Sequence, residues 1–241
     1  MTDTDAHDWL TFHRLRFPEP VSSHERVFPP VAGPHCWMFG PQYDVGPDGM
    51  LTGVSDVWGG VGIWHSRAAA EAMLAAPGEA LPWLGETAAS WHALGVPVMH
   101  RGAVNWRGHV QQGDAIRPAP ADPGGPFAVL TSAGFNARDA ATMPRILQFV
   151  AGVVAVLDDY GAQPSNLRRG AFRSGFGGRD GFTLSLWRSE EGMRHAAYQP
   201  GVHRTRVNDD NAGLLSDRSS FTRVRIVRSW GDWDGEVDWS A

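Results

Sequence analysis

Ten histidines are spread through this chain of 241 residues, and few of them are spaced for chemistry. No H-x-x-x-H or H-x-H pair falls on a predicted helix, so a non-haem metal centre lacks its usual donor pattern. His7, His13, His24, His35, His65, His92, His100 and His109 stand singly, and each reads as surface or as a hydrogen-bonded structural residue. His195 and His203 lie eight apart across the break at Pro200-Gly201. His203 differs in its setting. The stretch "GFTLSLWRSEEGMRHAAYQPGVHRTRV" runs as strand, short helix and stop, and His203 follows with Arg204 and Arg206 beside it. A neutral imidazole can be the single protein ligand of a haem iron. Haem also needs a wide apolar slot and cations for two propionates, for which Arg204, Arg206, Arg223 and Arg225 are candidates. Arginine beside histidine is equally the pattern of solvated surface, and the residues alone leave both readings open.

Other chemistries lack their residues. Cys36 sits in an apolar strand pattern and reads as a small buried hydrophobe. There is no G-x-S-x-G elbow to anchor a hydrolase triad. "GFGG" (Gly175 to Gly178) opens no helix as a dinucleotide loop does, and reads as a hairpin turn. All 21 basic residues are arginine, which excludes a Schiff-base lysine and lysine-dependent phosphate chemistry.

Charge and composition bound the partners. Net charge is −5 and no basic run exceeds two residues, against the basic stripe of a nucleic-acid reader. No apolar stretch reaches the roughly 18 residues of a membrane span, and "MTDTDAHDW" lacks the regions of a signal peptide. One cysteine fits a reducing compartment, so a cytoplasmic location is expected. Eleven tryptophans read first as core and interface packing and second as the wall of a pocket for a large flat or apolar ligand.

The elements that must position these residues repeat. "GVGIWHSRAAAEAMLAAP" lies over "FTLSLWRSEEGMRHAAYQP" at a shift of 123 residues, setting Trp64 on Trp187, Ser66 on Ser189 and Pro77 on Pro200. Each copy reads as a strand ending in Trp, a Ser N-cap and a two- or three-turn helix closed by Pro. Glu190 and Glu191 suit the first turn of the second helix. "WLTFHRLRF" and "PFAVLTSAGF" read as opening strands, and "CWMFG" and "AFRSGFG" as second strands. "VNWRG" and "SWGDWDG" follow the last strand of each half. Between the first two strands of the second half, "TMPRILQFVAGVVAVLDDYG" predicts a helix capped by Thr142 or Asp139, with Pro144 in its first turn and Gly161 at its end. In the first half the same connection, "PEPVSSHERVFPPVAGP", is short and proline-rich, so its helix is stunted or absent. The order strand, connection, strand, strand, helix, strand is that of a ferredoxin-like unit. The expected fold is therefore α+β: two fused ferredoxin-like repeats, 1–115 and 126–241 with a linker at 116–125, pairing their sheets into a single-chain dimeric-α/β-barrel-like protein. The second repeat is the expected haem-binding half. Trp187 and Tyr198 read as packing.

With these motifs in order, the chain resembles the spheroidene monooxygenases of carotenoid synthesis and their relatives. The resemblance spans about Leu10 to Gly235 and is carried by "LTFHRLRF", "HCWMFG", "VWGGVGIWHSRAAAEAML", "FAVLTSAGF", "FTLSLWRSEEGMRHAAY", the His of "GVH" and "RSWGDWDG". It implies a barrel that binds haem b, with His203 as axial iron ligand, and oxygenation of an organic substrate. The chain departs from the pattern at "TSAGFN", where Ser132 replaces an expected basic residue, and in its polar stretch after His203. A carotenoid substrate is therefore not expected. The expected activity is a haem-dependent monooxygenase-like reaction on an apolar small molecule of specialised metabolism, with an electron donor and a homodimer left open as partners. Alternatives are a haem-dependent dehydratase of an N–O substrate, as in aldoxime dehydratases, a cofactor-free barrel monooxygenase or binder, and a non-catalytic haem carrier.

Overall fold

The structure is a computed structural model that describes residues 5–22, 33–43, 53–102, 116–137, 139–173, 180–198, 205 and 216–235. Period-two alternation sets its strands. In β1 (Trp9–Ser22), Leu10 and Phe12 join one buried cluster while Trp9, Leu15 and Phe17 join another. Successive side chains of a strand point to opposite faces, so β1 is covered on both. Pro18 and Pro20 fall where its pairing with the neighbouring strand shifts register, between Arg16 and Val21, because proline has no N–H for the ladder. The other strands are β2 (Cys36–Pro41), β3 (Val54–Trp64), β4 (Ala89–Gly102), β5 (Phe127–Gly134), β6 (Asn166–Arg173), β7 (Asp180–Trp187) and β8 (Arg218–Gly231). β6 begins before the predicted second strand of that half, and "GFGG" lies outside the described residues.

All pairings are antiparallel, in the order β2-β3-β1-β4-β8-β5-β7-β6. The order of the first four strands recurs in the last four as β6-β7-β5-β8, which is the ferredoxin-like arrangement written twice. Pairing of β4 with β8 fuses the two sheets. The outer strands β2 and β6 meet through a bridge between Gln42 and Phe172 and a hydrogen bond from the Tyr43 N–H to the Ala171 carbonyl at 2.8 Å. The sheet thus nearly closes into a barrel, leaving little unpaired edge. Its interior is filled by Leu10, Phe12, Cys36, Met38, Trp91, Leu184, Ile226 and others. Cys36 is a buried, unoxidised part of that interior, as its strand pattern implied. Phe172 lies so near Gly59 that any Cβ there would sit 2.5 Å from its ring.

Four helices cover the sheet among the described residues: α1 (Arg67–Ala75), α2 (Pro77–Ala80), α3 (Met143–Gly161) and α4 (Glu190–Tyr198), with a 3-10 turn at Leu84–Glu86. The start of α4 follows the sequence reading: the Ser189 hydroxyl accepts the Gly192 N–H at 3.1 Å, and Glu190 and Glu191 stand in the first turn. At α1 the reading is corrected. Ser66 occupies the N-cap position, but its side chain makes no capping bond, and the Asp5 carboxylate accepts the Arg67 N–H at 2.8 Å instead. A carboxylate does this well because it also meets the positive end of the helix dipole. Asp139 serves α3 similarly, accepting the Thr142 N–H at 2.8 Å. The proline-rich connection of the first half falls mostly outside the described residues.

The segment 116–125 is firmly attached. Ile116 enters the barrel interior, Arg117 grips buried Asp8, and the Ala119 N–H bonds the Pro97 carbonyl at 2.7 Å. No helix among the described residues is long and apolar enough to cross a membrane.

Candidate functional site

α3 lies over the outer face of β5 and β7, where the sheet presents small side chains. Val129, Thr131 and Ala133 of β5 and Gly181, Thr183 and Ser185 of β7 form a floor, and Phe149, Val153, Val156, Leu157 and Tyr160 of α3 form a roof. Between them is a slot of about 330 Å³, ended by Phe221, Ala197, Tyr198 and Tyr43. Short side chains below and long ones above leave a gap that neither element fills. Mostly apolar lining with a few hydroxyls is the usual character of a small-molecule site.

The polar groups here are mainly neutral. Burial raises the Tyr160 phenol above its ordinary value, with Asp159 and Tyr198 adding to the effect. Burial likewise pushes Tyr43 up to about 12, in spite of nearby Arg173. Both phenols are therefore hydrogen-bond donors at neutral pH, not anions. Tyr198, read from sequence as packing, is 56% exposed and stands at the slot's mouth. Trp187 does pack: it is fully buried, edge-on to Tyr160 at 4.9 Å, with its indole N–H on the Ser185 hydroxyl at 2.9 Å.

Of the predicted site residues, His203, Arg204 and Arg206 lie outside the described residues. Arg223 and Arg225 follow Phe221 along β8 at two-residue spacing, and so share its face. Arg223 donates to Glu190 Oε1 at 2.9 Å and to the Tyr198 hydroxyl at 3.3 Å, beside the slot's mouth. Arg225 donates to both oxygens of Asp122 at 2.8 Å and to the Gly125 carbonyl at 3.1 Å, and lies over the Phe127 ring at 4.8 Å. Its donors are thus engaged within the chain. Arg101, which the sequence reading passed over, lines the slot and lies over the Phe221 ring at 5.2 Å. Ser132 is buried and is not itself in the slot's lining, and its hydroxyl meets at 2.5 Å that of Ser220, which is.

The corresponding face of the first half is filled. Pairing aligns His13 with His92 on β1 and β4 just as it aligns Thr131 with Phe221 on β5 and β8. Where the second half keeps its slot, the first has His13 and His92 in contact, walled by Trp37 and Trp230 with Phe39 and Trp58 beyond. Sequence reading treated these histidines singly. Only the β1–β4 register, which depends on residues some 80 apart, brings them together.

The described lining fits part of what haem requires: an apolar slot, with Arg101 and Arg223 near its mouth for acid groups. It contains no His or Cys, and the lining side chains of a type that can ligate haem iron are the phenols of Tyr43, Tyr160 and Tyr198. His203, the axial ligand that the resemblance implies, lies outside the described residues.

No family model matches the sequence, and no curated protein matches it. Solved structures do. An aldoxime dehydratase in complex with butyraldoxime superposes with a TM-score of 0.52 at 12% identity, covering 93% of this chain and 81% of that one. A candidate monooxygenase of Fusobacterium nucleatum gives 0.41 at 9% identity, covering 98% and 99%. SnoaB, a cofactor-independent oxygenase from Streptomyces nogalater, gives 0.34 at 15% identity, with 42% of this chain matched to 91% of that one. The likeness to the aldoxime dehydratase shows a shared fold.

Proposed function

We propose that this chain is a monooxygenase-like enzyme that acts on an apolar organic molecule in the slot beneath α3. The observation that carries the reading is the slot itself, an apolar space between α3 and a floor of small residues, opening beside Tyr198. The apolar walls exclude water and bind the substrate body, while the neutral phenols of Tyr43 and Tyr160 orient polar atoms on it. Haem b, held by His203, is the form of the reading that the sequence resemblance favours. Tyr198 ends the described part of α4 at the slot, and five residues of chain to His203 reach at most about 18 Å. Bound haem would supply the redox chemistry, and the chain the positioning.

The test is an absorption spectrum of protein purified from haem-supplemented cells, run beside His203→Ala. A Soret band that shifts or vanishes in the variant supports the haem form. A colourless parent overturns it and leaves the cofactor-free form of the enzyme. A second reading, dehydration of an aldoxime to a nitrile and water, is favoured by the fold shared with the aldoxime dehydratase. Anaerobic assay decides between them, because dehydration needs no O₂ and oxygenation consumes it.

A further inference from the structure

A second cavity, of about 500 Å³, opens at the seam between β2 and β6 and adjoins the slot: Tyr43 and Leu157 line both. Its lining is of a different kind. Four arginines, Arg14, Arg16, Arg168 and Arg169, stand against two aspartates, Asp158 and Asp234. We propose that this cavity is a carboxylate-binding site built on Arg14, and that it takes the acid end of an organic ligand whose apolar body lies in the slot. The apolar half of that statement rests on the reading of the slot as a substrate pocket. The acid site stands on its own residues.

Arg14 is the centre of the argument. Its side chain is 4% exposed and its guanidinium lies over the Trp233 ring at 5.5 Å. One terminal nitrogen, Nη2, reaches both oxygens of Asp234 at 3.0 and 3.2 Å, while the other, Nη1, is buried without a partner. A buried guanidinium with an unspent N–H is costly, and its best complement is a planar acid with two acceptor oxygens. Arg14 is thus set for a carboxylate and only partly satisfied by the one it has.

Asp234 has the features of a stand-in. It is a non-glycine residue in the left-handed region, with φ at 53°. Its carboxylate is 41% exposed and divided between Arg14 and Arg16, the latter at 3.1 Å. Arg168 fixes the turn that carries it, donating to the carbonyls of Trp233 at 2.8 Å and Asp234 at 2.7 Å. Asp234 is the carboxylate that Arg14 bonds, and Arg16, which also reaches Asp56 at 3.8 Å, shares it. With four arginines against two aspartates in its lining, the cavity can exchange that carboxylate for another acid. A ligand acid would replace the Asp234 carboxylate on Arg14 and displace it toward water, which the 41% exposure of Asp234 permits. The substrate class that follows is an apolar carboxylic acid, anchored by charge at the seam and presented under α3 by its body.

Binding of 2-naphthoate and of its uncharged counterpart 2-naphthamide to the purified protein tests this, read by calorimetry and by the fluorescence of Trp233 and its neighbours. The acid is expected to bind at least tenfold more tightly than the amide at low salt, with the preference shrinking as salt screens the charges. Arg14→Gln should cancel the preference. Asp234→Asn should do the reverse, tightening 2-naphthoate severalfold by removing the internal competitor, so the proposal stays testable if Arg14→Gln does not fold. Equal binding of acid and amide, or an acid preference that survives in Arg14→Gln, overturns the site. Weaker acid binding in a folded Asp234→Asn overturns the stand-in role. These readouts need no haem and no turnover: an acid preference in a protein without oxygenase activity defeats the functional reading and keeps the site, and turnover of neutral substrates without acid preference does the opposite.

Discussion

His13 and His92 face each other across β1 and β4 with their Nδ1 atoms 2.9 Å apart, each ring 2% exposed. Such a contact requires one Nδ1 to donate and the other to accept, so the accepting ring is neutral; with the donor kept neutral as well, the two rings hold opposite tautomers. Burial sets this state. It holds His13 well below the ordinary value of 6.5, with His92 adding to the depression, and brings His92 to about 4.

Stability should therefore depend on pH in a stated direction. The unfolded chain takes up protons on these histidines near pH 6.5, whereas folded His92 resists until about 4. The unfolded state binds more protons between those limits, so the contribution is complete above pH 6.5 and is lost as pH falls toward 4. For His92 alone the loss is about 3 kcal/mol. Urea unfolding midpoints at pH 7.5 and 4.5 measure it. Replacing the pair by the residues at the matching places in the second half, as His13→Thr with His92→Phe, should flatten the profile. A profile equally steep in that double variant would assign the dependence elsewhere.

Trp187→Ala should cost on the order of 3–5 kcal/mol, because it empties a fully buried site edge-on to Tyr160. Trp187→Phe should cost less, since it keeps an aromatic ring and gives up mainly the indole bond to Ser185. Denaturant unfolding of both variants checks the order. A Trp187→Ala protein of full stability without turnover would move this residue from packing to chemistry.

Much of the fold could be read before the structure because its determinants are local. Alternation in "WLTFHRLRF" and "FTLSLW", Ser189 before α4 and Pro144 in the first turn of α3 are each visible within a dozen residues. The repeat then supplied the topology, since Trp64 and Trp187 end the same strand of each unit. The polar contacts were not legible, because they join distant segments. Asp5 capping α1, Asp8 meeting Arg117 and Arg14 meeting Asp234 depend on tertiary placement, which periodicity does not carry. The slot was hidden for another reason. It is made by the smallness of Ala133 and Gly181 on a floor whose strands look ordinary, and a missing side chain leaves no motif.

Thr131→Phe tests whether the slot is open space. The side chain is directed into it from the floor, so a phenyl ring should occupy the gap without displacing the core. Stability should be nearly unchanged, and binding of an apolar probe should fall at least tenfold. Were the space already packed, the added bulk would cost about 1–3 kcal/mol, which the same unfolding curve would register.

Asp8 is a buried, heavily bonded carboxylate and predicts a different acid response. It is fully buried and accepts from the Arg117 backbone N–H at 2.7 Å, from Arg117 Nε and Nη2 at 2.9 and 2.6 Å, and meets His65 Nδ1 at 2.8 Å. Burial pushes its carboxyl up, but the hydrogen bonds from Arg117 and His65 outweigh that and hold it below the ordinary 3.8. The native state thus binds the proton less readily than the unfolded chain. Its contribution is present above about pH 3.8 and disappears as pH falls through the lowered value. Asp8→Asn should cost about 1–3 kcal/mol at pH 7, toward the lower end because the Arg117 side chain is 40% exposed and keeps some of its water. The gap between Asp8→Asn and the parent should close below pH 3.8. A gap that persists there would mean that the shape of the clasp, rather than its charge, fastens the segment before β5 to the start of β1.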